Sequence, residues 1–111
     1  MSVRIESTAS FDREARHLQK RYPSFLTDLK SFIQTLTLTP TLGTDLGQGL
    51  RKVRMSIKAK GKGKRGGARV ITYLFSETTS TLKLLYIYDK SERESISKKE
   101  LENLLKQNDL I

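Results

Sequence analysis

Lys52, Arg54 and Arg69 are the residues around which chemistry can be built. Nine bases, Arg51, Lys52, Arg54, Lys58, Lys60, Lys62, Lys64, Arg65 and Arg69, fall within residues 50–69 with no acid among them. In the run from Lys52 to Lys58, Val53, Met55 and Ile57 alternate with polar residues, and this period of two predicts Lys52, Arg54 and Lys58 on one face of a strand. A same-face Lys and Arg pair suits phosphodiester chemistry. Arg stays charged and clamps phosphate oxygens, while a Lys whose pKa is lowered by neighbouring cations can carry a proton. The reaction such groups serve without a metal is RNA cleavage, in which the substrate's own 2′-hydroxyl attacks its phosphate and cations stabilise the added charge. The same residues read equally well as phosphate-positioning contacts or solvated strand positions with no chemical role.

Other routes to catalysis lack their residues. The chain has no Cys and one His, His17, which removes thiolate metal sites, Cys nucleophiles and paired-His arrangements. Asp89, Glu92 and Glu94 are interspersed with Lys90 and Arg93, and the remaining acids are dispersed, so metal-dependent hydrolysis is not expected. Gly61, Gly63, Gly66 and Gly67 lack P-loop spacing and precede a strand, which excludes an NTPase. Tyr73, Tyr86 and Tyr88 can stack bases, although core packing with an exposed hydroxyl is the commoner use of such residues. His17 falls between helix-stripe positions and reads as a surface residue. A nuclear-localisation reading of residues 58–65 is disfavoured because the run joins two predicted strands of one hairpin.

The excess charge is local. Lys+Arg 21 against Asp+Glu 12 gives +9 over 111 residues, and removing the nine bases of residues 50–69 leaves twelve bases against twelve acids. A surplus confined to one segment points to a polyanion-facing surface, the alternative being a solvated loop. With 36% hydrophobic residues the chain can hold a modest core, so any chemistry belongs near the surface. The first ten residues lack an apolar leader core and no apolar run approaches a membrane span, so a single cytoplasmic domain over residues 1–111 is expected, with no membrane partner.

The elements that must position the basic residues follow from periodicity. Val3 and Ile5 alternate in a predicted first strand over 2–6. Phe11, Ala15, Leu18 and Tyr22 form a helix stripe, with Ser10 as the expected N-cap and Pro23 as the stop. Ser24 is the expected cap of a second helix whose stripe is Phe25, Leu29, Phe32, Ile33 and Leu36, ended by Pro40. Residues 40–49 read as a loop. A basic strand, a glycine-rich tip and a mostly apolar strand over 69–75 then make a hairpin. A third strand, 82–88, places Leu82, Leu84, Tyr86 and Tyr88 on one side. Ser97-Lys98-Lys99-Glu100 is a capping box, Ile96 can staple onto Leu101, and Leu101, Leu104 and Leu105 dock a last helix. The order β-α-α-β-β-β-α defines a small α+β domain with helices on one side of a largely antiparallel twisted sheet.

With that element order, the strings from Gly49 to Arg54, from Gly61 to Tyr73 and from Tyr88 to Arg93 resemble the RelE/ParE toxin superfamily, most closely its RelE-type, HigB-like branch. The resemblance covers nearly the whole chain and implies a toxin of a type II toxin-antitoxin pair. Such a toxin enters the ribosomal A site, cuts the messenger RNA there without a metal or cofactor, and is held inactive by a cognate antitoxin. Carried over position by position, the resemblance implies catalytic roles for Lys52, Arg54, Arg69 and Lys90. Arg51, Lys58, Lys60, Lys62, Lys64, Arg65, Arg93 and Tyr73 are the accompanying RNA-binding candidates. Ser91 and Ser97 stand where relatives carry an Arg and a catalytic aromatic, and Lys62, Lys64 or Arg93 is the candidate substitute. Two other classes remain: a ParE-like gyrase-poisoning toxin, which needs no RNA-cleaving residues, and a non-catalytic RNA- or ribosome-binding protein.

Overall fold

The computed structural model describes residues 3–61, 63–75 and 80–111. Its elements are β1 (Arg4–Ser7), α1 (Ala9–Arg21), α2 (Phe25–Leu38), β2 (Thr44–Gly47), β3 (Leu50–Met55), a 3-10 turn (Lys58–Lys60), the one-turn α3 (Gly63–Gly66), β4 (Ala68–Tyr73), β5 (Thr81–Asp89) and α4 (Lys98–Gln107). The strands form one sheet in the order β1-β5-β4-β3-β2, with β1 parallel to β5 and every other pairing antiparallel. The expected α+β class and the β3-β4-β5 meander are both present. Residues 40–49 are not wholly a loop, because Thr44–Gly47 adds an edge strand to β3. Four residues with no apolar alternation give little sequence signal, and the pairing is supplied by the partner strand.

Helices cover both faces of the sheet, which corrects the expected one-sided arrangement. Phe11, Leu18, Phe25, Phe32 and Leu36 of α1 and α2 pack with Val53, Met55, Val70, Leu82, Leu84 and Ile87. Leu104 and Leu105 of α4 pack with Leu50, Ile71 and Leu85 in a second cluster. Val70 and Ile71 are successive residues of the central strand and so point to opposite faces. A central strand apolar on both sides requires cover on both.

Strand β5 changes phase in the middle. Thr72 faces Leu84 whereas Ile71 faces Tyr86, so Leu85 is an extra, bulged residue. Leu82 and Leu84 therefore face α1 and α2, while Tyr86 packs with the second cluster. This overturns the expectation of four residues on one side, because simple alternation cannot register an inserted residue. Thr8 holds the bulge: its hydroxyl reaches the carbonyls of Leu84 and Leu85 at 3.2 and 3.1 Å. The same hydroxyl accepts from the Phe11 amide at 3.2 Å, making Thr8 rather than Ser10 the N-cap of α1.

Strand β3 stops at Met55, so Lys58 does not share the face of Lys52 and Arg54. The amide of Lys58 donates to Asp28 Oδ2 at 2.9 Å and that of Ala59 to Ser24 Oγ at 2.9 Å, which turns this backbone away from the ladder toward α2. Ser24 occupies the N-cap position but donates its hydroxyl to Asp28 at 2.7 Å and makes no capping bond. The chain returns through Gly67, where an added Cβ would lie 2.0 Å from the Met55 carbonyl, so only glycine fits.

Candidate active site

The geometry that matters lies on the α4 side of the sheet. Across β3, β4 and β5 the register aligns Arg54, Arg69 and Tyr88 in one row and Lys52, Ile71 and Tyr86 in the next, with Thr44 of β2 beside Lys52. Both rows face the second core cluster, and α4 covers only part of it. Beside α4 a cleft of about 370 Å³ is lined by Thr44, Lys52, Arg54, Arg69, Lys90 and Glu94. Lys52, Arg54, Arg69 and Lys90, the four residues that the sequence resemblance singled out, thus line one concavity. Arg54 and Arg69 are direct cross-strand partners. Like charges in that position repel, a cost that a bound anion would remove.

Arg69 is 6% exposed. Burial and then the nearby Arg54 lower its pKa from the ordinary arginine value, while Tyr88 and Glu94 act the other way. A guanidinium keeps its charge under such shifts, so a dehydrated cation faces the cleft. It also donates from Nη1 to the Ala68 carbonyl at 3.1 Å. Lys90 follows β5 directly and donates to the Glu94 carboxylate at 2.9 Å and the Glu94 carbonyl at 3.0 Å. Glu94 was noticed in the sequence only as one acid among several bases. Its place in the cleft depends on the turn between β5 and α4, which no local pattern announces.

Behind the cleft is an internal charge network. Asp89, 2% exposed, points to the helical side, where Lys60 Nζ contacts its Oδ1 at 2.5 Å and the Tyr22 hydroxyl contacts its Oδ2 at 2.5 Å. Arg21 lies 3.2 Å away, and Ser91 donates both its hydroxyl and its amide. Burial pushes the Asp89 carboxyl up, but the hydrogen bonds from Lys60, Tyr22 and Ser91 together outweigh it and hold the group well below the usual carboxylate range. The Gly67 carbonyl accepts from both Lys60 Nζ and the Lys90 amide at 3.1 Å, tying the basic segment to the residue that enters the cleft.

The other candidate RNA contacts disperse. Lys60 is turned inward with its side chain 7% exposed, contrary to an expected surface contact, because Asp89 is its partner. Arg51 lies on the opposite face of β3 from Lys52. Lys58 is exposed beside Asp28 and Arg54 at a second groove. Arg93 grips both Glu100 oxygens at 2.7 and 2.8 Å and lies 5.4 Å over the Tyr88 ring. Tyr73 packs in the second cluster, against the turn at Gly49. Lys62 lies outside the described residues, as do the side chains of Lys64 and Arg65. Ser97 is the N-cap of α4, with the capping box complete. Tyr88 is buried, and its hydroxyl has no hydrogen-bond partner among the described residues. Among those residues no three His, Cys, Asp or Glu side chains gather as metal ligands, and no helix is long and apolar enough to cross a membrane.

Sheet order, two-sided helix cover and a cationic cleft define a small α+β domain with basic side chains gathered in one concavity. The model of the RelE toxin of the RelE/RelB toxin-antitoxin system matches residues 3–110, and the chain belongs to this toxin family. Among solved structures it resembles the E. coli toxin RelE, a double arginine-to-alanine mutant in the free state. The TM-score is 0.62 at 11% identity over 96% of this chain and 98% of that one, a likeness of fold.

Proposed function

We propose that this toxin inhibits translation as a ribosome-dependent, metal-independent mRNA endonuclease, acting in the cytoplasm on message in the ribosomal A site. The observation that carries the reading is the convergence of Lys52, Arg54, Arg69 and Lys90 on one cleft. Arg69, dehydrated and fixed, and Arg54, opposite it, suit the non-bridging oxygens of a phosphorane, whose charge exceeds that of the ground state. Lys52 and Lys90 flank them. An A-site setting supplies what the small domain lacks, a wall that closes the cleft and orients the 2′-hydroxyl for in-line attack. The glycine-rich string over 61–73 supports a HigB-like member. The cognate antitoxin is expected to bring an acidic or amphipathic segment that covers the basic face or displaces α4.

Primer extension on a defined message in a reconstituted translation reaction, with and without ribosomes, tests this. Cuts should require ribosomes and follow the reading frame. Arg54→Ala, at an exposed position, should lower cleavage about 10²-fold or more, and Arg69→Ala at least as much. Uncut message with translation still blocked would sink the endonuclease reading, and DNA breaks in its place would point to gyrase.

A further inference from the structure

In-line cleavage needs a group that takes the proton of the 2′-hydroxyl, and the cleft is crowded with groups that cannot. Arg54 and Arg69 do not deprotonate, the Thr44 hydroxyl is a poor base, and a lysine has a lone pair to offer only after it has given up its own proton. Glu94 is the one cleft-lining residue, among those described, whose side chain is a proton acceptor at neutral pH. Its side chain is 91% exposed, so a docked RNA can reach it, and it is held at the cleft by the 2.9 Å contact with Lys90 Nζ.

Resting on the endonuclease reading above, we propose that Glu94 is the catalytic base and Lys90 its paired acid. The Glu94 carboxylate accepts the 2′-hydroxyl proton as the O2′–P bond forms. The P–O5′ bond breaks and Lys90 Nζ protonates the departing 5′-oxygen, leaving a 2′,3′-cyclic phosphate and a 5′-hydroxyl. Lys90, now neutral, recovers a proton from Glu94 along their existing hydrogen bond, and the pair is reset. The charged groups facing Glu94 are Lys90 from the turn after β5, Arg69 from β4, and Lys52 and Arg54 from β3. The hydrogen bond from Lys90, then its charge and that of Arg69, hold the Glu94 carboxyl below its usual value, so the base is fully ionised at neutral pH. The base therefore stands in its working form across the neutral range. A lysine base, by contrast, would have to lose its proton first.

The test is single-turnover cleavage on message-programmed ribosomes at saturating toxin, from about pH 6 to about pH 8, with ribosome binding measured in parallel. The wild-type rate should be nearly independent of pH. Glu94→Gln should bind ribosomes normally, cut about 10²-fold or more slowly, and gain a rate that rises with pH as hydroxide replaces the lost base. Glu94→Asp should recover part of the rate. Cleavage by Glu94→Gln within about threefold of wild type would overturn the assignment while leaving the endonuclease reading intact. So would a wild-type rate that climbs about tenfold per pH unit, or a Glu94→Gln defect confined to binding. Wild-type toxin that leaves ribosome-bound message whole would remove both readings together.

Discussion

Two buried polar residues behave oppositely because one is satisfied and the other is not. Asp89 receives Lys60, Tyr22 and Ser91, so removing its charge strands a buried ammonium: Asp89→Asn should cost about 3 kcal/mol in urea unfolding. Its carboxyl sits lower folded than unfolded, so the stabilisation it brings is present above the ordinary carboxylate value of 3.8 and drains away as pH falls toward the folded value. The Asn variant should show a flatter acid limb than wild type. Thr72, fully buried, has a hydroxyl with no hydrogen-bond partner among the described residues. Thr72→Val should thus raise stability by about 1 kcal/mol, read as a higher melting temperature. Strand alternation pointed to Lys52 and Arg54, and the family resemblance added Arg69 and Lys90, which alternation does not mark. Sequence reasoning missed the inward turn of Lys60, since a lysine in a basic run gives no sign of a carboxylate 29 positions away.

Elements with local signals were readable and elements made by partners were not. The stripes of α1 and α2 and the box at Ser97 are written in short-range spacing, and each forms as expected. The Glu100 carboxylate serves both the Ser97 amide at 3.1 Å and Arg93. Ser97→Ala should therefore cost about 1 kcal/mol and speed amide exchange in the first turn of α4. Strand β2, the Leu85 bulge and the exit of the chain from β3 after Met55 depend instead on neighbours: β3, Thr8, and the pair Ser24 and Asp28. These are tertiary decisions, which is why the phase of β5 and the position of Lys58 differed from simple periodicity.

At the scale of the whole molecule, Lys52, Arg54 and Arg69 of the basic segment meet Lys90 in a cleft on one side of the sheet, while Lys60 joins an internal network on the other. RNA binding through four cleft cations should follow counterion release, with log Kd against log salt changing by about 3, and Arg54→Ala should reduce that slope by about 0.7. A slope near zero would mean the cations meet protein rather than phosphate. The parallel pairing of β1 with β5 carries a consequence for the toxin's own manufacture. Arg4 aligns with Thr81, and Thr8 holds the bulge at Leu84 and Leu85, so the beginning of the chain cannot seat until its last strand exists. Such long-range closure comes late in folding. The cleft, completed by Lys90 and Glu94 beyond that strand, is then among the last parts to assemble, so almost the whole chain must be made before the site exists.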